Sequence, residues 1–188
     1  ACRFQYTNLP SAYCLFDTFG GDEMDEVTEN ALEFKRYSRT LPERFAAQTG
    51  RMFARWEENR AALEKCYAGL PTSIFQADLN DTNVLLDDLG NFAGIYDFNL
   101  AGKDVFLNYL FREIYEGSLD EERNAILSAL KVAAGVYAFS EAEKEAALPL
   151  YRCLKPLWYT RVEALKDAGS DEAAIRRCLD EMEQAQTR

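Results

Sequence analysis

One stretch breaks the rhythm of this sequence. Elsewhere apolar residues recur every three or four positions, the spacing of an amphipathic helix. Between Ser73 and Phe98 they come instead in two short runs, Val84-Leu85-Leu86 and Phe92-Ala93-Gly94-Ile95-Tyr96, separated by Asp87-Asp88-Leu89-Gly90-Asn91. Runs of that length around an Asp/Gly/Asn turn predict a β-hairpin. A single hairpin set among helices predicts an α+β fold that is mainly helical.

The helices on either side carry their own punctuation. Met24, Val27, Ala31, Phe34 and Ser38 predict a helix from about Asp22 to Arg39. Thr40-Leu41-Pro42-Glu43 reads as a capping box with proline in the first turn, opening a helix that turns Phe45, Met52, Phe53, Trp56, Leu63 and Tyr67 inward, weakened at Gly50 and ended by Gly69-Leu70-Pro71. Beyond the hairpin a helix is expected over Phe106 to Glu116. The box Ser118-Leu119-Asp120-Glu121 opens the next, which is expected to bury Ile126, Leu127, Leu130 and Val136. A third box, Ser140-Glu141-Ala142-Glu143, starts a segment that Pro149 and Pro156 should break or kink. The last helix, about Asp171 to Gln186, is strongly charged and expected on the surface. Trp56, Trp158 and the tyrosines at helical spacing are expected in the core.

Composition narrows the function. With 48% hydrophobic and 28% charged residues the chain is not globally disordered. It has no histidine, which excludes Ser-His-Asp and Cys-His triads and His-ligated zinc hydrolases. The formal net charge of −11 argues against a nucleic-acid partner and against an anionic membrane, and an acidic surface would favour a cationic ligand. Cys2, Cys14, Cys66, Cys153 and Cys178 are scattered, with no C-x-x-C pair, which predicts reduced thiols and a cytoplasmic location. A run near the middle without a charge or strong polar group, Val132 to Phe139, is far short of the roughly 20 apolar residues that span a bilayer. The opening residues, Ala1 to Tyr6, lack the apolar core of a signal peptide.

The chemistry gathers at the hairpin. Gln76-Ala77-Asp78-Leu79-Asn80-Asp81-Thr82-Asn83 precedes the first run, and Tyr96-Asp97-Phe98 ends the second. Transfer of a phosphoryl group from ATP needs a carboxylate to orient or deprotonate the acceptor hydroxyl and oxygen ligands for magnesium. Asp78, Asn83 and Asp97 supply an acid, an amide and an acid, and magnesium is content with few protein oxygens. Asp81, Asp87 and Asp88 read as turn residues.

In these residues the chain resembles the aminoglycoside phosphotransferase and choline kinase group, whose pattern is His-Gly-Asp, an Asn five residues after that Asp, and Ile-Asp-Phe at the end of the next strand. The resemblance implies the carboxy-terminal lobe of a protein-kinase-like fold across residues 1–188, with Asp78 as catalytic base and Asn83 and Asp97 as magnesium ligands. It implies ATP and magnesium as cofactors, and an aminoglycoside- or choline-like alcohol as acceptor, with Asp104, Glu113 and Glu116 as candidates to meet it. It implies further a smaller lobe supplying a phosphate-covering loop and a lysine. Phe19-Gly20-Gly21-Asp22 lacks the spacing of such a loop, so that lobe is expected upstream, and this chain alone is not expected to be a competent kinase. Three positions depart from the pattern. Gln76 stands for the histidine, Ala77 for the glycine, and Asn99 for an acid often found two places after the metal-binding Asp. Glutamine both donates and accepts, so the first change can preserve a structural hydrogen bond. Gln76, Ala77 and Asn99 together leave a second class open, a noncatalytic pseudokinase-like binding module, Asn99 because it removes a possible second metal ligand.

Overall fold

A computed structural model describes residues 15–16, 25–99, 101–114 and 117–187. Met24, the Gly20-Gly21 pair, Cys2, Cys14 and Glu116 lie outside the described residues, as does the side chain of Asp81. Among the described residues, seven α-helices and four short strands run in the order α1 (Glu26–Ser38), α2 (Ala46–Tyr67), β1 (Thr72–Gln76), β2 (Val84–Leu86), β3 (Phe92–Ile95), β4 (Ala101–Val105), α3 (Phe106–Arg112), α4 (Leu119–Ala134), α5 (Glu141–Leu154), α6 (Tyr159–Asp167) and α7 (Glu172–Thr187). The fold is thus α+β and mainly helical.

The core is where the helical periodicity put it. Met52, Phe53, Trp56, Leu63 and Tyr67 of α2 are buried, as are Phe45 just before it and Val27, Ala31 and Phe34 of α1. Helix α2 packs against α5, where the Trp56 indole N–H donates to the Cys153 carbonyl at 3.0 Å. That bond lets the largest aromatic side chain enter the core without an orphaned donor. Gly50 is exposed and does not interrupt the helix.

Several expectations need correction. Thr40 opens no helix: its hydroxyl donates back to the Tyr37 carbonyl, closing the end of α1, and a single 3-10 turn at Glu43–Phe45 precedes α2. The boxes at Ser118 and Ser140 form in full, each serine bonded to the glutamate three residues on. Helix α5 continues through Pro149, and Pro156 falls beyond its end. Helix α7 is not merely superficial: Ile175, Leu179 and Met182 are buried, and the Gln186 amide donates to the Met52 carbonyl of α2 at 2.8 Å. In α4 only Ile126 of the four expected residues is buried; Leu130 is half-buried, and Leu127 and Val136 are exposed. Both tryptophans are buried, but among the described tyrosines only Tyr67 is, and Tyr159 is exposed. Helix α3 ends at Arg112, and β4, which was not foreseen, precedes it. No helix among the described residues is long and apolar enough to cross a membrane.

The strands form two antiparallel ribbons. β2 pairs with β3 in the expected hairpin, Val84 opposite Ile95 and Leu86 opposite Phe92, with Ala93 as the extra residue of a bulge. The turn is closed by the Asp87 carboxylate, which accepts from the backbone N–H of Leu89 and Asn91, while Gly90 takes the left-handed conformation (φ 80°) that glycine adopts without strain. β1 pairs with β4, Thr72 opposite Val105 and Gln76 opposite Ala101. The chain therefore crosses from one ribbon to the other twice, through residues 77–83 and after Ile95, and the Tyr96 N–H bond to the Asn83 carbonyl sets the two crossings side by side.

Candidate active site

The loop after β1 is built from Asx chemistry. The Asn80 side chain accepts from the Thr82 N–H at 2.9 Å and caps a 3-10 turn at Asp81–Asn83. Three bonds then tie this loop to the crossing after β3. The Tyr96 N–H donates to the Asn83 carbonyl at 3.1 Å, the Tyr96 hydroxyl donates to the Thr82 carbonyl, and the Gln76 amide donates to the Asp97 carbonyl at 2.8 Å. Asp78, Asn83 and Asp97 are thereby brought to one corner of the two ribbons.

Each of the three is held differently. Both carboxylate oxygens of Asp78 accept amide bonds, Oδ1 from Asn80 at 2.9 Å and Oδ2 from Asn83 at 3.1 Å. The buried Asn83 also donates to the Asp78 carbonyl at 2.8 Å, so its N–H₂ group is committed to Asp78 and its Oδ1 is the oxygen it can offer a cation. Asp97 is exposed and has φ 59°, left-handed backbone that costs a non-glycine residue about 1–2 kcal/mol. Strain of that kind persists where the surroundings impose it, and it gathers at functional sites. Asp97 Oδ1 accepts only a long bond, 3.4 Å, from the Asn99 N–H.

A further acid reaches this corner. Phe75 of β1 stacks on Tyr109 of α3, ring centroids 4.4 Å apart, which sets the end of α3 beside the loop. Partial burial, and then the negative charge of Asp78, push the Glu113 carboxyl up to about 7. Glu113 was foreseen only as one of three acids that could meet an acceptor; its electrostatic coupling to Asp78 depends on the placement of α3, which no local pattern announces. Asp104, a second of those acids, is turned the other way. It is 4% exposed and accepts a bond from the Tyr67 hydroxyl at 2.5 Å, which in turn accepts from Asn108 at 2.9 Å. Arg112 donates to Asn108 at 2.9 Å and to Glu26 at 3.1 Å. This chain of polar groups, buried except at Glu26, joins β4, α2, α3 and α1, so Asp104 belongs to the framework behind the site.

Among the described residues no three His, Cys, Asp or Glu side chains converge as metal ligands. With Asp78 Oδ1 and Oδ2 each accepting an amide bond, the residues here that could hold a cation through oxygen are Asn83, by its amide, and Asp97, by its carboxylate. Such a hard, sparse set suits magnesium, which keeps water and substrate phosphate in its shell; it does not suit zinc, which needs three or four protein ligands of nitrogen, sulfur or carboxylate. The arrangement offers a hydrogen-bonded carboxylate, Asp78, with lone pairs left to accept from a hydroxyl. No family model matches this chain, and no curated protein matches its sequence.

Proposed function

We propose that this chain carries the catalytic loop and metal-binding arm of an ATP-dependent phosphotransferase that acts on a small-molecule hydroxyl. The observation that carries the proposal is the Gln76 amide bonded to the carbonyls of both Asp78 and Asp97, which joins a base and a cation ligand that lie far apart in sequence. Asp78 orients the acceptor hydroxyl and takes its proton, its own carboxylate fixed by Asn80 and Asn83. Asn83 Oδ1 and the Asp97 carboxylate would hold magnesium, which when bound neutralises charge on the nucleotide phosphates. Glu113, pushed up to about 7 by partial burial and the charge of Asp78 and so about half ionised at pH 7, adds part of a negative charge beside the Asp78 carboxylate, which favours a cationic acceptor of the aminoglycoside or choline kind. The exposed apolar residues Leu85, Leu86, Phe92, Tyr96 and Phe98 support a nucleotide-holding lobe covering this edge.

The test is calorimetry of the intact protein with Mg-ATP, beside phosphate-transfer assays over small cationic alcohols. Asp78→Ala is expected to lower turnover by about 10²- to 10⁴-fold with nucleotide binding retained, and Asp97→Ala to abolish the magnesium dependence of binding. Unchanged turnover in Asp78→Ala would sink the assignment of the base. Absence of magnesium-dependent nucleotide binding in the parent would favour the noncatalytic pseudokinase-like module, which Gln76, Ala77 and Asn99 motivate.

A further inference from the structure

We infer that Gln76 is a positioning residue, which sets the metal-binding arm against the catalytic loop and holds Asp97 in its left-handed conformation; this rests on the phosphotransferase assignment above. Gln76 is 4% exposed at the end of β1 and makes three hydrogen bonds through one side chain. Its Nε2 donates to the Asp78 carbonyl and to the Asp97 carbonyl, each at 2.8 Å, and its Oε1 accepts from the Asp78 N–H at 2.7 Å. Only an amide fits all three, because it has two N–H donors and a carbonyl, whereas a neutral imidazole has one donor and one acceptor. The other ties of the crossing after β3 act on neighbours of Asp97, the Tyr96 N–H and hydroxyl on the Asn83 and Thr82 carbonyls; among the described residues only Gln76 bonds the Asp97 carbonyl. Tyr96 and Phe98 are exposed, so apolar packing does not impose φ 59° on the residue between them. The bond to the Asp97 carbonyl does. With that bond cut, Asp97 is free to relax to extended backbone, and its carboxylate leaves the place where Asn83 Oδ1 is offered.

The test uses the full chain, with manganese alone as the probe, read by paramagnetic broadening of backbone amide signals. Two variants are needed. Gln76→Leu removes all three bonds, and Gln76→Glu keeps the volume but turns carboxylate oxygens toward two carbonyls. The parent is expected to show broadening confined to the neighbourhood of Asn83 and Asp97. Both variants are expected to weaken manganese binding by about 10- to 100-fold, the effect of removing a residue that orients metal ligands. Faster hydrogen exchange at the Asp78 amide should accompany this, while the exchange of α2 and α5 amides is kept. Parent-like manganese affinity in a folded variant overturns the positioning role and leaves the phosphotransferase assignment standing. Absence of localised broadening in the parent overturns the metal assignment and this inference with it. Should Gln76→Leu fail to fold, Gln76→Glu decides between the first two outcomes.

Discussion

Helix α2 turns Met52, Phe53, Trp56 and Leu63 inward and buries all four, whereas in the β2–β3 hairpin Leu85, Leu86 and Phe92 stay exposed. The helical body is held by apolar area removed from water, and the ribbons that carry the site are held by specific polar bonds: Asp87 across the hairpin turn, Tyr96 to the loop below it, and Gln76 between the two crossings. The difference has a physical reason. Apolar burial is non-directional and tolerates small shifts, while a base and a cation ligand must be set to within fractions of an ångström, which hydrogen bonds of fixed geometry accomplish. A body of the first kind can then support a site of the second kind without dictating its geometry.

The strongest way to break this contrast is to remove a side chain from the body. Trp56→Ala takes away a 4% exposed indole and leaves the Cys153 carbonyl without its donor. It is expected to cost about 3–5 kcal/mol in equilibrium urea unfolding. A loss under about 1 kcal/mol would mean that the interface between α2 and α5 is not the main support of the fold.

Glu113 sharpens the comparison because it stands where body meets site. Its folded carboxyl titrates near 7, above the ordinary value of 4.5, so the folded state binds the proton more tightly than the unfolded chain does. The sign follows from linkage. Below about pH 4.5 both states are protonated and the parent is at its most stable in this respect; as pH rises from there through about 7, stability is lost, since folding then holds an ill-solvated charge near Asp78. Glu113→Gln removes that dependence. Because solvent still reaches the carboxyl, the full linkage value is discounted to about 1 kcal/mol of gain at pH 8 and none at pH 4, or about 2–4 °C in melting temperature. A melting profile with the same pH slope in parent and variant would show that Glu113 does not feel Asp78.

The same division decides what could be read from the residues alone. The inward face of α2, the capping boxes at Ser118 and Ser140 and the Asp87 turn were legible because each is a local pattern with one mechanism behind it. β4 was not: Ala101-Gly102-Lys103-Asp104-Val105 has neither alternation nor β-branched enrichment, and it is a strand only because β1 needs an antiparallel partner. Thr40 misled because a hydroxyl within reach of two helix ends can serve either, and here it served α1. The exposed face of α4 reflects how much of the helix its neighbours cover, which periodicity does not report. At the site, the spacing of Asp78, Asn83 and Asp97 was legible. The three bonds of Gln76, the tie from the Tyr96 hydroxyl and the approach of Glu113 were not, since each joins residues that only the tertiary fold makes neighbours.

The smallest expected effect tests the hairpin itself. Leu89 is 86% exposed at its tip, so it removes almost no apolar surface from water, and Leu89→Ser is expected to shift global stability by no more than about 0.5 kcal/mol in either direction. Asp87 stands two residues away and is equally open to solvent, yet it closes the turn: the bonds from Asn91 and Leu89 hold its carboxyl below the usual range. Asp87→Ala is therefore expected to leave the unfolding midpoint of the body near that of the parent while accelerating hydrogen exchange at Asn91 and across the β2–β3 pairing. If Leu89→Ser loosened the hairpin as much as Asp87→Ala, the ribbon would owe its shape to apolar contact after all, and the contrast with α2 would fail at the point where it is easiest to measure.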